Sequence, residues 1–424
     1  MFQVLAGSWA LLLGMLFLMV GNGLQGTLLG VRGDMVGFST FEMSLVMSAY
    51  FAGFLGGSRL TPELIRRVGH VRVFAALASF ISAVLILYPV LVHPVTWILG
   101  RVVIGFCFSG VYVTAESWLN NASSNENRGK ALSLYMIVQM SGVVAAQGLL
   151  AFGDPGGYAL FIVASVLISI SFAPILLSIQ PTPAFGASKP MTLRRLITAS
   201  PLGCMGMFVL GGVYSAQFGM AAVFGAQIGL TVPQISLFVS VIYIGALVMQ
   251  YPIGWMSDRL DRRILILAVA ALGGVSCIFA FAIGDDFIVI LIVGFMMGGT
   301  SNPLYSLLLA YTNDYLDPDD MPAASGGLLF INGVGAVGGP LVTGWMMTTA
   351  GPMGFFLFVG VLLMILTAYA AYRMTQRSEV ASAEDTASYT PILPSSSVIA
   401  AEVASEVYGE AISEEETSDG ATNP

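Results

Sequence analysis

The sequence predicts an all-α integral membrane protein, with twelve transmembrane helices in two pseudo-symmetric six-helix halves. Three observations carry this expectation. Mean hydropathy is +0.85, with 56% hydrophobic and 9% charged residues, far from the roughly 25% charged of soluble domains. Twelve apolar runs of about 20 residues can be placed, each enough to cross a hydrocarbon layer of about 30 Å as a helix. The chain also repeats itself. Sliding residues 14 to 67 by 192 positions without a gap lays Gly14, Met15, Gln25, Gly33, Gly37, Ser44, Leu45, Ser48, Gly53, Leu55 and Arg67 onto identical residues, running from Gly206, Met207 and Gln217 to Gly245, Leu247 and Arg259. Two similar halves about an axis along the membrane normal form a central solute site in many secondary transporters.

In chain order the runs lie near 9–31, 42–61, 71–91, 95–119, 130–152, 157–179, 200–224, 234–254, 264–283, 287–312, 323–349 and 354–372. The first is not read as a cleavable signal peptide, because residues 1–8 carry no Lys or Arg and the run exceeds an ordinary signal h-region. The expected organisation is an N-terminal half at 1–180, a cytoplasmic linker at 181–199, a C-terminal half at 200–375 and a disordered acidic cytoplasmic tail at 376–424. Pro181, Pro183, Gly186 and Pro190 interrupt the apolar pattern in the linker.

Basic residues orient the chain. With the N-terminus in the cytoplasm, the inner loops and helix ends receive 14 of the 16 Lys and Arg, from Arg59, Arg66, Arg67 and Arg72 to Arg373 and Arg377. Arg32 falls outside and Arg101 within a helix. The reverse orientation breaks the positive-inside bias at nearly every loop, so both termini are expected in the cytoplasm of a multi-pass inner-membrane protein.

The net charge of −8 belongs to the tail: residues 378–424 hold ten acidic and no basic residues, leaving 16 basic against 14 acidic elsewhere. Such a segment reads as a solubilising extension, with a regulatory docking segment as the alternative.

Between the eighth and ninth runs stands Gly254-Trp255-Met256-Ser257-Asp258-Arg259-Leu260-Asp261-Arg262-Arg263. This resembles the cytoplasmic loop signature of the major facilitator superfamily. Physically, Gly254 lets two helices approach, Asp258 can face a helix N-terminus and Arg259 a carboxylate on a neighbouring helix, giving a charge latch that opens when the halves rock. The matching N-terminal stretch departs from the signature. Arg66 stands where the repeat puts Asp258 and Pro62 where it puts Gly254, so the latch there is wired differently, with Glu63 a candidate. The alternative is that this basic cluster only fixes topology. His70 in this stretch and His93 in an outer loop read as isolated surface histidines.

Arg101-Val102-Val103-Ile104-Gly105 resembles the family's Arg-xxx-Gly pattern on the fourth helix. Ala115-Glu116-Ser117-Trp118-Leu119-Asn120, Asn127-Arg128-Gly129-Lys130 and Gly333-Val334-Gly335-Ala336-Val337-Gly338-Gly339-Pro340 resemble the YcaD-type branch of that superfamily. The resemblance covers roughly residues 8–375. It implies a symporter or uniporter working by alternating access, and relatives of the branch associate it with riboflavin-like solutes.

An arginine in a span costs about 2.5–3.5 kcal/mol on insertion scales, so it faces a cavity or a partner. Arg101 is the leading substrate-site candidate, as counter-charge to an anionic solute or as a gate; the alternative is a structural hydrogen-bonder of backbone carbonyls. Glu116, acidic within a span, reads as a proton acceptor or, more readily, as the carboxylate that meets Arg67 in the latch. Gln25 and Gln217 are repeat equivalents, and each is a cavity amide or interhelical glue. Asn22, Tyr112, Tyr243, Asn302 and Tyr305 complete the first set of lining candidates, with Gln139, Gln147, Tyr214, Gln250 and Asn332 beside them. The gating or coupling set is Glu116, Arg67, Asp258, Arg259 and Arg262.

No Walker-type Gly-xxxx-Gly-Lys-Ser/Thr is present, so ATP hydrolysis has no support. Cys107, Cys204 and Cys277 have no metal-type spacing, and no nucleophile has a partner set. Basic residues hug the membrane instead of forming a nucleic-acid face. The expectation is a monomeric non-enzyme without cofactor or metal that moves a small organic solute, riboflavin-like or an organic anion, through the lipid bilayer, with protons as a candidate coupling ion. The alternatives are an efflux pump for amphipathic compounds, against which the fifth run lacks a Gly-Pro-rich antiporter pattern, and a non-transporting sensor or assembly factor.

Overall fold

The computed structural model describes residues 2–122, 125–177, 191–284, 286–316 and 320–376, together with 391, 392, 397 and 400. Every regular element among them is helical: α1 (Phe2–Met35), α2 (Thr40–Val68), α3 (His70–Leu87), α4 (Pro94–Ala122), α5 (Asn125–Phe152), α6 (Ala159–Ser171), α7 (Ala173–Leu177), α8 (Leu193–Ala199), α9 (Pro201–Ser215), α10 (Ala221–Gln227), α11 (Val232–Ser257), α12 (Arg262–Ile283), α13 (Phe287–Asn313), α14 (Met321–Thr349) and α15 (Gly354–Met374). A π-helical turn, Ala216–Met220, joins α9 to α10. Residues 181–190 of the expected linker and nearly all of the expected tail lie outside the described residues.

Ten helical stretches among the described residues are long and apolar enough to cross a membrane, Pro201–Gln227 counting as one. The expected count of twelve is thus not fully matched. The second run became the 29-residue α2, whose last third carries Arg59, Glu63, Arg66 and Arg67. The sixth is the 13-residue α6, which breaks at Phe172 before α7.

The repeat is realised in turns and caps. Gly37 and Gly229, 192 positions apart, have φ of +80° and +78°, a backbone that only Gly adopts without strain. Two residues later Ser39 and Thr231 each open a capping box, with Glu42 and Gln234 as its third residues. The same helix–turn–helix geometry therefore starts α2 and α11.

Packing repeats as well. A Cβ on Gly53 would collide with the Val102 carbonyl and one on Gly105 with that of Tyr50, so α2 and α4 lie backbone against backbone. In the second half Gly245 meets the Phe295 carbonyl and Gly298 that of Ile242, bringing α11 equally close to α13. The halves meet mainly through α2 with α14, α5 with α11 and α1 with α10. Large apolar side chains such as Phe80, Ile288 and Trp345 face outwards, as a lipid-facing surface requires.

The bundle has a basic end, carrying Arg66, Arg67, Arg262 and Arg263, and a far end. At the far end the halves touch: a Cβ on Gly30 would meet Ala222, one on Gly344 would meet Ser44, and the Gln227 amide donates to the Thr40 hydroxyl. Two sequence expectations change at the basic end. The stretch from Pro62 is helical to Val68, since a membrane helix tolerates Pro where neighbours satisfy the freed backbone, and the chain turns only at Gly69, φ +84°. His70 is not a surface histidine: it is 2% exposed, and its Nε2 lies 3.0 Å from Ser117 Oγ of α4.

Candidate functional site

A cavity lies between the halves, lined by Asn22 of α1, Tyr50, Phe51, Phe54, Leu55 and Ser58 of α2 and Tyr112 of α4. From the second half come Tyr214 of α9, Phe218 of the π turn and Leu329, Asn332, Gly333 and Ala336 of α14. Six of these side chains are aromatic. Tyr214 and Phe218 stack at 5.9 Å and 15°, and Phe218 reaches across to Tyr50 at 5.6 Å. Tyr214 and Phe218 are four residues apart and so share a helix face, and the π turn that carries Phe218 is a feature frequent at functional sites.

A buried polar chain stands behind the first-half wall. Arg101, with no exposed surface, donates from Nη1 to Gln25 Oε1 at 2.8 Å and from Nη2 to Met47 Sδ at 3.3 Å, and its guanidinium lies 4.6 Å from the Tyr50 ring centroid. Gln25 Nε2 donates to Asn22 Oδ1 at 3.1 Å, and Asn22 Nδ2 donates to the Tyr112 hydroxyl at 3.2 Å. No carboxylate pairs with Arg101 among the described residues. Its charge is instead spread over an amide, a thioether and the Tyr50 π face.

The sequence candidates therefore separate. Asn22 and Tyr112 line the main cavity, as do Tyr214 and Asn332 of the wider set. Arg101 and Gln25 sit one layer behind it. Gln217 and Tyr243 line a second, smaller cavity on the other side of Phe218, shared with Gln147. There Gln217 Nε2 donates to Ser301 Oγ at 2.9 Å and to the Met297 carbonyl at 3.3 Å. Asn302 donates back to the Gly298 carbonyl of its own helix, and Tyr305 is buried on α13. Tyr50, Phe51, Phe54 and Phe218 were not singled out from sequence. The one available signal was their recurrence at three- and four-residue spacing, which an apolar helix shows everywhere.

The sequence pattern of the Major Facilitator Superfamily matches residues 11–202 and 202–406, each half once. The chain belongs to the major facilitator superfamily. It is similar to the MFS-type transporter YcaD of Salmonella arizonae, 24% identical over 357 residues, covering 82% of this chain and 91% of the relative. YcaD of Escherichia fergusonii is 24% identical over 343 residues, covering 80% and 88%. Among solved structures, the nucleoside transporter NupG superposes with a TM-score of 0.68 at 14% identity, over 87% of this chain and 99% of that one. A bacterial homolog of the human lysosomal transporter Spinster, inward-facing and unoccupied, gives 0.68 at 12% identity, over 96% and 98%. At these identities the structures show the fold alone. The protein is thus a multi-pass membrane transporter by family, a class that moves small solutes and performs no catalysis.

The superfamily loop is built differently in the two halves. In the second, Arg262, almost fully buried, pairs with Asp314 at the end of α13 at 2.6 Å and reaches Ser257 Oγ. Arg259 lies over the Trp255 ring at 4.3 Å and donates to the Trp255 carbonyl, so the pairing foreseen for Arg259 falls to Arg262. Asp258 is the C-cap residue of α11. Burial pushes the Asp261 carboxyl up, but hydrogen bonds from the Arg263 side chain and backbone outweigh it and hold it below the usual range. In the first half Glu63 takes both Arg66 and Arg67, and the Arg67 hydrogen bond is the main cause that lowers its carboxyl. Arg67 therefore meets Glu63 within its own helix, while Glu116 is buried in α4 and accepts from the backbone N–H of Ser397 at 2.8 Å.

Proposed function

We propose that this transporter carries a small, planar, polar aromatic solute, riboflavin-like in character, across the inner membrane by alternating access, with its basic end in the cytoplasm. The observation that carries the reading is the main cavity, which aromatic rings from both halves line together with an amide from each, Asn22 and Asn332. Rings stack on a heterocycle at little conformational cost, and an amide both donates and accepts. Asn332 Nδ2 is held by the Met207 carbonyl at 3.0 Å, which leaves its oxygen to accept from the solute.

Arg101 acts in this reading as a positioning residue. It fixes Gln25, which fixes Asn22, and the solute meets Asn22, Tyr112 and Tyr50. Gln217 and Tyr243 couple the second cavity to movement of Phe218, and the Arg262–Asp314 pair latches α12 to α13. Protons are the candidate coupling ion, with Glu116 as the acidic side chain buried in a span.

The test is a thermal-shift screen on the purified protein with riboflavin, a nucleoside and aromatic carboxylates, followed by uptake into proteoliposomes. Stabilisation and saturable flux of a planar heterocycle are expected. Stabilisation by amphipathic cations alone would favour an efflux pump, and binding without flux a sensor.

A further inference from the structure

The acidic extension contains a segment free of charge: from Thr386 to Ala401 there is no charged residue, between Glu384-Asp385 and Glu402. Its described residues are not on the surface. Ile392, Ser397 and Ala400 are 2%, 2% and 1% exposed, and Ile392 and Ala400 belong to the main apolar core. An unstructured solubilising tail would bury none of them.

Each half holds this segment by its backbone. In the second half Ser306 Oγ of α13 accepts from the Ile392 N–H at 2.9 Å and donates to the Ile392 carbonyl at 3.2 Å, while Gln250 of α11 donates to the same hydroxyl at 3.3 Å. In the first half Glu116 of α4 accepts from the Ser397 N–H. Glu116 lies one turn, about 6 Å, from Tyr112 of the main cavity, on the side of the basic end. No extensive packing joins α4 to α13, whereas at the far end the halves touch directly. Ile392 and Ser397 thus tie α13 of one half to α4 of the other on the basic-end side of the cavity.

We propose that the stretch anchored by Ile392, Ser397 and Ala400 is an autoinhibitory plug: held on α13 and α4 at the basic-end side of the cavity, it bars the solute path and opposes movement of one half against the other. Alternating access rocks one half against the other, and a peptide bonded to both halves opposes it until the plug is withdrawn. The acidic stretches on either side make withdrawal responsive to a basic surface or partner.

The experiment needs no solute and stands apart from the transport assay. A single cysteine is placed at Ser58, in the cavity wall, with Cys107, Cys204 and Cys277 replaced by Ala, and its labelling by a polar maleimide is timed in detergent. Three proteins are compared: the full chain, the chain ended after Gln376, and the full chain with Ile392→Glu and Ser397→Pro, which add a charge to a buried site and remove the N–H given to Glu116. Losing these ties should raise the labelling rate roughly tenfold, and a peptide of residues 386–402 should restore protection to the shortened chain. Equal rates in all three, to within about twofold, would overturn the plug. Should the shortened chain aggregate, the doubly substituted full chain decides by the same criterion.

Discussion

Replacing Arg101 by Gln tests whether the buried cation meets the solute or only positions what does. The guanidinium is fully buried and donates to Gln25 at 2.8 Å, and Gln25 in turn holds Asn22, which lines the cavity. If Arg101 acts through that chain, the most its loss can remove is the solute contact of Asn22. One such hydrogen bond is worth about 0.5–1.5 kcal/mol, or up to roughly tenfold in Kd. A direct counter-charge would behave differently. Two unit charges about 4 Å apart at an effective dielectric near 20 interact by about 4 kcal/mol, so an anionic ligand would lose roughly a thousandfold and a neutral one almost nothing. The assay is a Kd measurement on Arg101→Gln with two ligands that share a ring and differ by one carboxylate. Similar losses of tenfold or less are expected for both. A loss above about a hundredfold confined to the anion would refute the positioning argument and place the solute's charge on Arg101.

Packing and charge lead to three further outcomes. Gly53→Ala and Gly245→Ala should each destabilise the protein by about 1–3 kcal/mol, because their Cβ atoms meet backbone carbonyls that cannot yield, while Gly56→Ala, with open space around it, should leave the Tm unchanged. Arg262→Ala breaks the largely buried ion pair with Asp314 and should cost about 3–5 kcal/mol, against about 0.5 or less for the exposed Arg259→Ala, both read by thermal unfolding. A lone cysteine at position 66 should be shielded from an impermeant reagent on intact cells and one at position 34 labelled; the reverse pattern would invert the proposed orientation.

The sequence alone determined the membrane class, the helical architecture and the two-fold repeat, because these depend on composition and on identities at a fixed offset. The repeat reached as far as turn chemistry: Gly37 and Gly229 must adopt a left-handed backbone, and Ser39 and Thr231 cap α2 and α11. It also offered Asn22, Tyr112, Tyr214 and Asn332 as cavity candidates, since polar groups in a span avoid lipid. Avoidance of lipid does not name the neighbour that receives them. Only the tertiary structure joined Arg101 to Gln25 across 76 positions and set Arg262 instead of Arg259 on a carboxylate. The same is true of the split of Gln25 and Gln217, identical by repeat, between a relay behind one cavity and the wall of another. The aromatic lining was hidden for a related reason: a helix apolar on every side has no periodic signal to separate a ring that faces a solute from one that faces a lipid chain. The burial of Ile392 and Ser397 was the least legible of all, because what they gain comes from Ser306 and Glu116, distant in sequence and brought near one another by the packing of the two halves.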